Sequence, residues 1–413
     1  MKKNVFTAFA IILCLSTVTF AQGVSPVYAV TEAGGTTVTS VEIATGAAIL
    51  RPTDLNLSNQ MVFNGEELSL SLAQVREMVM TTSSGIEIAK INLAANKAKT
   101  ESYYQAYRRV NNDYPDPIFG GVLTSSRTEK EMAKLAADFA VTQSDKNYQA
   151  EINVLSSEAV KTYYELKQAI NATMISQNNL ATQETILKNT NSKYKLGVVS
   201  RQDVLKAEVA FNQAKVDLNS AQSMEALARM SFNSYFGFNL MQKVALTDSL
   251  EVTPVSNLPL YEAIRLAVLN RNEISSTAFA LKYKELNLRN VGNNYSKTST
   301  YYLQAHADLL SAQKNQLDMP IKMEMDVRSK YMDMMNAKAS VDLGKMSADK
   351  ASETYRLAKL QYDLGMATLT DVQLAQSGSF AAQLQYSRSL LQLRLAVLAY
   401  ENATTVGSYS VPL

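Results

Sequence analysis

The stretch Tyr194-Lys195-Leu196-Gly197-Val198-Val199-Ser200-Arg201-Gln202-Asp203-Val204-Leu205-Lys206-Ala207 is echoed later in the chain. It returns as Tyr362-Asp363-Leu364-Gly365-Met366-Ala367-Thr368-Leu369-Thr370-Asp371-Val372-Gln373-Leu374-Ala375, offset by 168 residues throughout. Each copy reads as a tight reversal between two helices. Gly197 and Gly365 suit the left-handed conformation that ends a helix, since glycine has no Cβ to clash there. Ser200 and Thr368 then cap the next helix, and Asp203 and Asp371, three residues on, complete a capping box. Two such reversals imply two helical hairpins.

The duplication extends outward from the turns. Upstream, Tyr163, Glu165 and Ala169 match Tyr331, Asp333 and Ala337 at the same offset. Near the repeat starts, Leu70 and Leu72 match Leu258 and Leu260 at an offset of 188. The first copy therefore holds about 20 extra residues, expected around Pro115, Pro117, Gly120 and Gly121. Downstream of the first turn, Val204, Ala207, Phe211, Ala214, Leu218, Ala221, Glu225, Ala228 and Phe232 alternate in steps of three and four. All but Glu225 are apolar, which makes the series a heptad seam. Ala375, Ala382, Ser389 and Ala396, with Val372, Tyr386, Leu393 and Tyr400, repeat it in the second copy. A small residue at every seventh place lets two helix backbones approach while large partners fill the gaps. Before the first turn, Arg127 to Tyr194 contains neither proline nor glycine, enough for a rod of roughly 100 Å at 1.5 Å per residue.

Composition agrees. Only 8 Pro and 15 Gly interrupt 413 residues, so the elements are few and long. At the N-terminus, Lys2 and Lys3 precede an apolar run from Val5 to Phe20, then small residues ending at Ala21 or Ala29. That is the order of a secretory signal, so we expect an exported protein of the cell envelope or, in a cell without an outer membrane, of the wall zone. The only cysteine, Cys14, lies in this run and follows Leu13, where a lipidation signal would place a small residue. Cleavage leaves no thiol, which excludes disulfides, thiolate catalysis and cysteine metal sites. A formal charge of +2, supplied by the two signal lysines, indicates no nucleic-acid partner. The expected layout is a signal at 1–29, a leader at 30–64 rich in Gly, Thr and Ala, helical repeats at 65–253 and 254–405, and a tail at 406–413.

Together these features resemble the TolC family of outer-membrane efflux proteins over about residues 65–405. The second repeat opens at Asn257-Leu258-Pro259-Leu260-Tyr261-Glu262-Ala263. The resemblance implies a homotrimeric twelve-helix tube whose turns meet a periplasmic adaptor (a membrane fusion protein) serving an inner-membrane pump. It assigns Leu196, Gly197, Val198, Ser200, Leu364, Gly365, Met366 and Thr368 to the adaptor-facing tip, and gives Asp371 a place at the constriction. Leu374 stands where a second acid is expected, and Ala367 where a basic gating partner often occurs. The family also places two strands of a membrane barrel between the long helices of each repeat. A spanning strand needs ~9–11 residues. Gly292 to Thr300 cannot supply two, and Asn111 to Ser126 carries Pro115 and Pro117 without alternation. The expected class is therefore all-α: two repeats of long antiparallel coiled-coil hairpins, TolC-like, with the barrel strands missing and no direct membrane insertion.

Tyr103, Tyr104, Tyr107 and Tyr114 in the first copy, and Tyr295, Tyr301 and Tyr302 in the second, are expected in loops at the end away from the turns. They would either dock that end on another surface or pack the closed hairpins. His306 is the sole histidine and has no partner set for a triad or metal site. Met319, Met323, Met325, Met332, Met334 and Met335 could pass Cu(I), but they do not share one helix face and suit core filling. No phosphate-binding loop and no paired acid–base carboxylates are present, so neither a cofactor nor an enzyme is expected. Two readings remain. One is a transport duct; the other is an exported coiled-coil scaffold or spacer that has lost the channel. An adaptor of the HlyD type would need β-rich flanks around a single hairpin.

Overall fold

The computed structural model describes residues 63–81, 83–113 and 124–412. The expected signal, nearly all of the leader, Tyr114 and the Pro115–Gly121 stretch lie outside the described residues. Strand β1 (Asn64–Leu70) opens the first repeat, followed by α1 (Leu72–Thr81), α2 (Ser84–Asp113), α3 (Thr124–Lys195) and α4 (Arg201–Tyr235). Strand β2 (Gln242–Leu246) closes it. The second repeat comprises α5 (Leu260–Asn270), α6 (Asn272–Asn294), α7 (Thr300–Asp363) and α8 (Leu369–Ala403). At 72 and 64 residues, α3 and α7 are rods of roughly 110 and 95 Å.

Helix α2 packs along the first half of α3 and α4 along the second; α6 and α8 divide α7 in the same way. Contacts of α3 with α6 and α8 join the two sets. The result is a layer four helices wide, with α2 and α4 on one edge and α7 on the other. The heptad seams pack as expected. Val204, Ala207, Ala214 and Phe232 are buried in α4, Val372, Ser389, Leu393 and Tyr400 in α8, and no seam residue is exposed. In α7, Ala305, Ala312, Met323, Val327, Met334, Val341 and Ala348 form the matching buried stripe. Pro320 sits inside that helix, where it removes one amide from the hydrogen-bond ladder.

Midway along each pair of rods a short helix adds a second layer. In the first repeat, Val75 and Val79 of α1 meet Tyr163, Leu166, Phe232, Val244 and Leu246. In the second, Ala263 and Ala267 of α5 meet Val327, Met334, Leu393, Val397 and Tyr400. The repeat signature explains one detail of both cores. The Tyr163 hydroxyl, whose shorter bond at 2.7 Å goes to Asp248, also approaches the Leu70 carbonyl at 3.4 Å, and the Tyr400 hydroxyl donates to that of Leu258, the equivalent leucine, at 3.1 Å. The donor has changed helix: α3 provides it in one copy and α8 in the other, where Tyr400 occupies the place of Phe232.

The β1–β2 pair was passed over by the sequence reading. It is a parallel two-stranded sheet with Leu68 beside Val244 and Leu70 beside Leu246. Among the described residues these are the only strands. The connection between α6 and α7 is five residues, Tyr295 to Ser299, and that between α2 and α3 spans about ten. Neither has the ~18 or more residues that two spanning strands require. No helix among the described residues is long and apolar enough to cross a membrane.

Candidate functional site

Both turns share one construction of backbone hydrogen bonds. Gly197, at φ +74°, donates to the Tyr194 carbonyl at 2.9 Å while Val198 donates to Lys193 at 2.9 Å. Gly365, at φ +75°, donates to Tyr362 at 3.1 Å and Met366 to Gln361 at 2.8 Å. This is the Schellman closure, which satisfies the last carbonyls of α3 and α7. The next helices open on complete capping boxes. The Asp203 carboxylate accepts from the Ser200 N–H (3.1 Å) and hydroxyl (2.8 Å), and the Asp203 N–H donates back to Ser200 Oγ (3.2 Å). Asp371 accepts from the Thr368 N–H (2.8 Å) and hydroxyl (2.7 Å), and its N–H returns the bond at 3.3 Å. These bonds from Thr368 hold the Asp371 carboxyl below the usual carboxylate range.

The two turns lie side by side at one end of the layer. Lys193 Nζ is 3.3 Å from Asp363 Oδ1 and sits over the Tyr362 ring at 3.9 Å. Lys206 Nζ donates to Thr370 Oγ1 at 3.0 Å. Beneath them Ile186, Ala207, Leu369 and Val372 form a small core shared by both hairpins. The outer surface is apolar: Leu196, Val198, Leu364 and Met366 are 79, 69, 67 and 77% exposed. Side chains of this kind at the apex of two rigid reversals form a surface with no internal partner. Leu374, at the position where an acid was expected, is also exposed, and Ala367 is half-buried. The tip therefore carries one cap-bound carboxylate in its second turn, and no basic residue at Ala367 to oppose it.

Grooves lead away from this tip on both sides of α8. One, of about 510 Å³, lies towards α4 and is lined by Leu205, Val209, Ala210 and Gln373. The other, about 460 Å³, lies towards α7 and is lined by Ala351, Ala358, Leu374, Ala375 and Gly378. Sequence reading found the tip residues but not these grooves, which depend on the spacing between helices.

At the opposite end the tyrosines divide. Tyr103, Tyr104 and Tyr107 are helical, within α2, and Tyr301 and Tyr302 lie in the first turn of α7, not in loops as expected; Tyr295 stands in the connection before α7. A 3.6-residue period places the α2 tyrosines on a continuing helix, and the Tyr104 hydroxyl donates to Asp138 Oδ1 of α3 at 2.9 Å. That bond raises the Tyr104 hydroxyl above the ordinary phenol range. Tyr295 and Tyr301 meet with ring centroids 4.7 Å apart. The Tyr302 N–H is capped by Ser299 Oγ at 3.2 Å, and its ring lies 6.3 Å from that of exposed His306. No group of acids, histidines or cysteines able to hold a metal occurs among the described residues.

No family model matches the sequence, and no curated protein matches it. Solved structures do match the fold. A membrane protein from Pseudomonas aeruginosa superposes with a TM-score of 0.66 at 12% identity, over 81% of this chain and 90% of that one. The CmeC outer-membrane channel of Campylobacter jejuni gives 0.64 at 13%, over 82% and 86%. The outer-membrane protein VceC of Vibrio cholerae gives 0.65 at 12%, over 82% and 97%. The chain shares the helical fold of these membrane and outer-membrane proteins, without a barrel among its described residues.

Proposed function

We propose that this chain is an efflux or secretion component of the cell envelope, in which copies close into a helical duct and the two turns receive an adaptor. The carrying observation is the pair of unpartnered edges. On α7, exposed Leu303, Leu310 and Leu317 step by sevens, and Ile321, Met325 and Met332 continue along the rod. The opposite edge exposes Val216 on α4, with Ile88 and Ile91 on α2. A layer that is apolar at both edges buries them by meeting copies of itself, and a head-to-tail contact of this kind closes as a ring when its rotation allows. Three copies, the number that the resemblance to the TolC family implies, would place twelve helix positions around the ring, four from each layer.

The apolar tips support the second half of the reading. Leu196, Val198, Leu364 and Met366 stand on turns made rigid by Schellman closures and capping boxes, and the grooves beside α8 extend that surface. An extracytoplasmic adaptor presenting helical hairpins would fit it by burying apolar knobs in grooves. The inner-membrane pump would follow from the adaptor. The domain reading follows too: an exported signal, a leader, two repeats at 65–253 and 254–405, and a tail.

The test is the state of the exported chain (residues 30–413) purified without detergent, by light scattering and electron microscopy. A hollow trimer about 100 Å long is expected. Leu317→Lys combined with Met332→Lys should return it to monomers. Monomeric rods at all concentrations, unchanged by a helical-hairpin adaptor, would overturn the duct in favour of the scaffold.

A further inference from the structure

The segment after α8 does not trail into solvent. After a turn at 404–406 it runs along the boundary between the repeats, and asparagines read its backbone from both sides. Asn147 of α3 treats Val411 as a strand partner would: its Nδ2 donates to the Val411 carbonyl at 2.7 Å, and its Oδ1 accepts from the Val411 N–H at 2.9 Å. Two turns along α3, Asn153 Nδ2 donates to Thr405 Oγ1 and to the Gly407 carbonyl, both at 3.0 Å. From the second repeat, Asn272 Nδ2 donates to the Tyr409 carbonyl at 2.8 Å and its N–H donates to that of Val406 at 3.2 Å.

Several features mark this as a built site. Asn147 is 4% exposed with both ends of its amide bonded to Val411, and Asn272 is fully buried with its Nδ2 bonded to the segment while its Oδ1 has no partner. Val411 is buried at 6%, an apolar plug at the far end. Gly407, at φ +79°, turns the segment where a Cβ would lie 2.9 Å from Arg271 Nε. Arg271 is held there by ion pairs to Glu273 and Asp326 at 2.8 and 3.3 Å.

We propose that residues 405–411 are a strap, a peptide bound through its main chain in an asparagine-lined groove between α3 and α6. The strap fastens the second repeat to the first at the α5–α6 junction. The groove is thus a binding site for an uncharged peptide with an aliphatic anchor, filled by the chain itself. Main-chain recognition supplies the hold, and the buried Val411 sets the register.

Hydrogen exchange measured by mass spectrometry tests this. In a chain ending at Thr404, amides at 143–157 and 272–280 should exchange about tenfold faster or more. Those at 186–207 and 355–372, around the turns, should change by less than about twofold. A synthetic peptide of residues 405–413 should restore the lost protection, and the same peptide with Val411→Asp should not. Full-length Val411→Asp and Asn147→Ala should each reproduce the local acceleration, so the test survives if the shortened chain fails to fold. Unchanged exchange, acceleration spread evenly along the molecule, or no response to the peptide would each overturn the strap.

Discussion

A single carboxylate shows how much one residue can organise in this chain. Asp248, just after β2, accepts from the Leu72 N–H at 2.7 Å, capping α1 from 176 residues away, and from the Tyr163 hydroxyl at 2.7 Å. The Leu72 amide first, then Tyr163, holds its carboxyl below the usual range. A depressed carboxyl contributes stability that is present above its unfolded value, about 3.9, and lost as pH falls through its folded value. Asp248→Asn should therefore lower the melting temperature at pH 7, and the gap from the parent should close as pH drops below about 4. Melts from pH 7 to 2.5 check this; a gap that does not depend on pH would count against it. Tyr163→Phe should cost about 1 kcal/mol, since its hydroxyl is buried and bonded. At the turns, Gly365→Ala meets open space but a left-handed backbone, so strain alone should cost about 1 kcal/mol. The glycines and their caps were legible because short-range geometry dictates them. Asp248 was not, because nothing local in Thr247-Asp248-Ser249 points to a helix start so distant.

Among the elements, those with a long period were the readable ones. α3 begins three residues before the expected Arg127 and ends one after Tyr194, and the Ala-rich seams lie on the packed faces. β2 escaped because Gln242-Lys243-Val244-Ala245-Leu246 is five residues long, and its alternation, with Val244 and Leu246 buried, covers barely one period. The tyrosines of α2 were misplaced because a cluster of aromatics before a proline-containing stretch reads like a loop, whereas the helix continues to Asp113. Two changes probe element stability. Ser200→Ala and Thr368→Ala should each cost about 1 kcal/mol by urea unfolding, as lost caps do. Pro320→Ala should do the opposite, returning an amide to α7 opposite the Gln316 carbonyl and stabilising by up to about 3 kcal/mol. A neutral result there would mean that the helix bends at this point for packing that alanine does not preserve.

For the molecule as a whole, the sequence disclosed two hairpins but not how they lie together. The layer comes from contacts of α3 with α6 and α8, set by polar pairs such as Asn179 with Gln376 at 2.9 Å and Asn171 with Ser387 at 2.7 Å. No periodicity announces such pairs. Because the two mid-shaft cores share no residue, Phe232→Ala should cost about 3–5 kcal/mol and Leu393→Ala about 2–5. Together they should add to within about 0.5 kcal/mol at fixed protein concentration. Strong coupling in urea titrations would show that the two cores interact through the helices between them. The β1–β2 pair has a further consequence, for the order in which the chain takes shape. It ties Leu70 to Leu246, so the first repeat is a loop whose start waits for its end. In a chain delivered N-terminus first, β1 arrives long before its mate, with its edge unpaired. Exposed Glu66 and Glu67 put charge on that strand, a feature that disfavours pairing with a wrong partner in the interval.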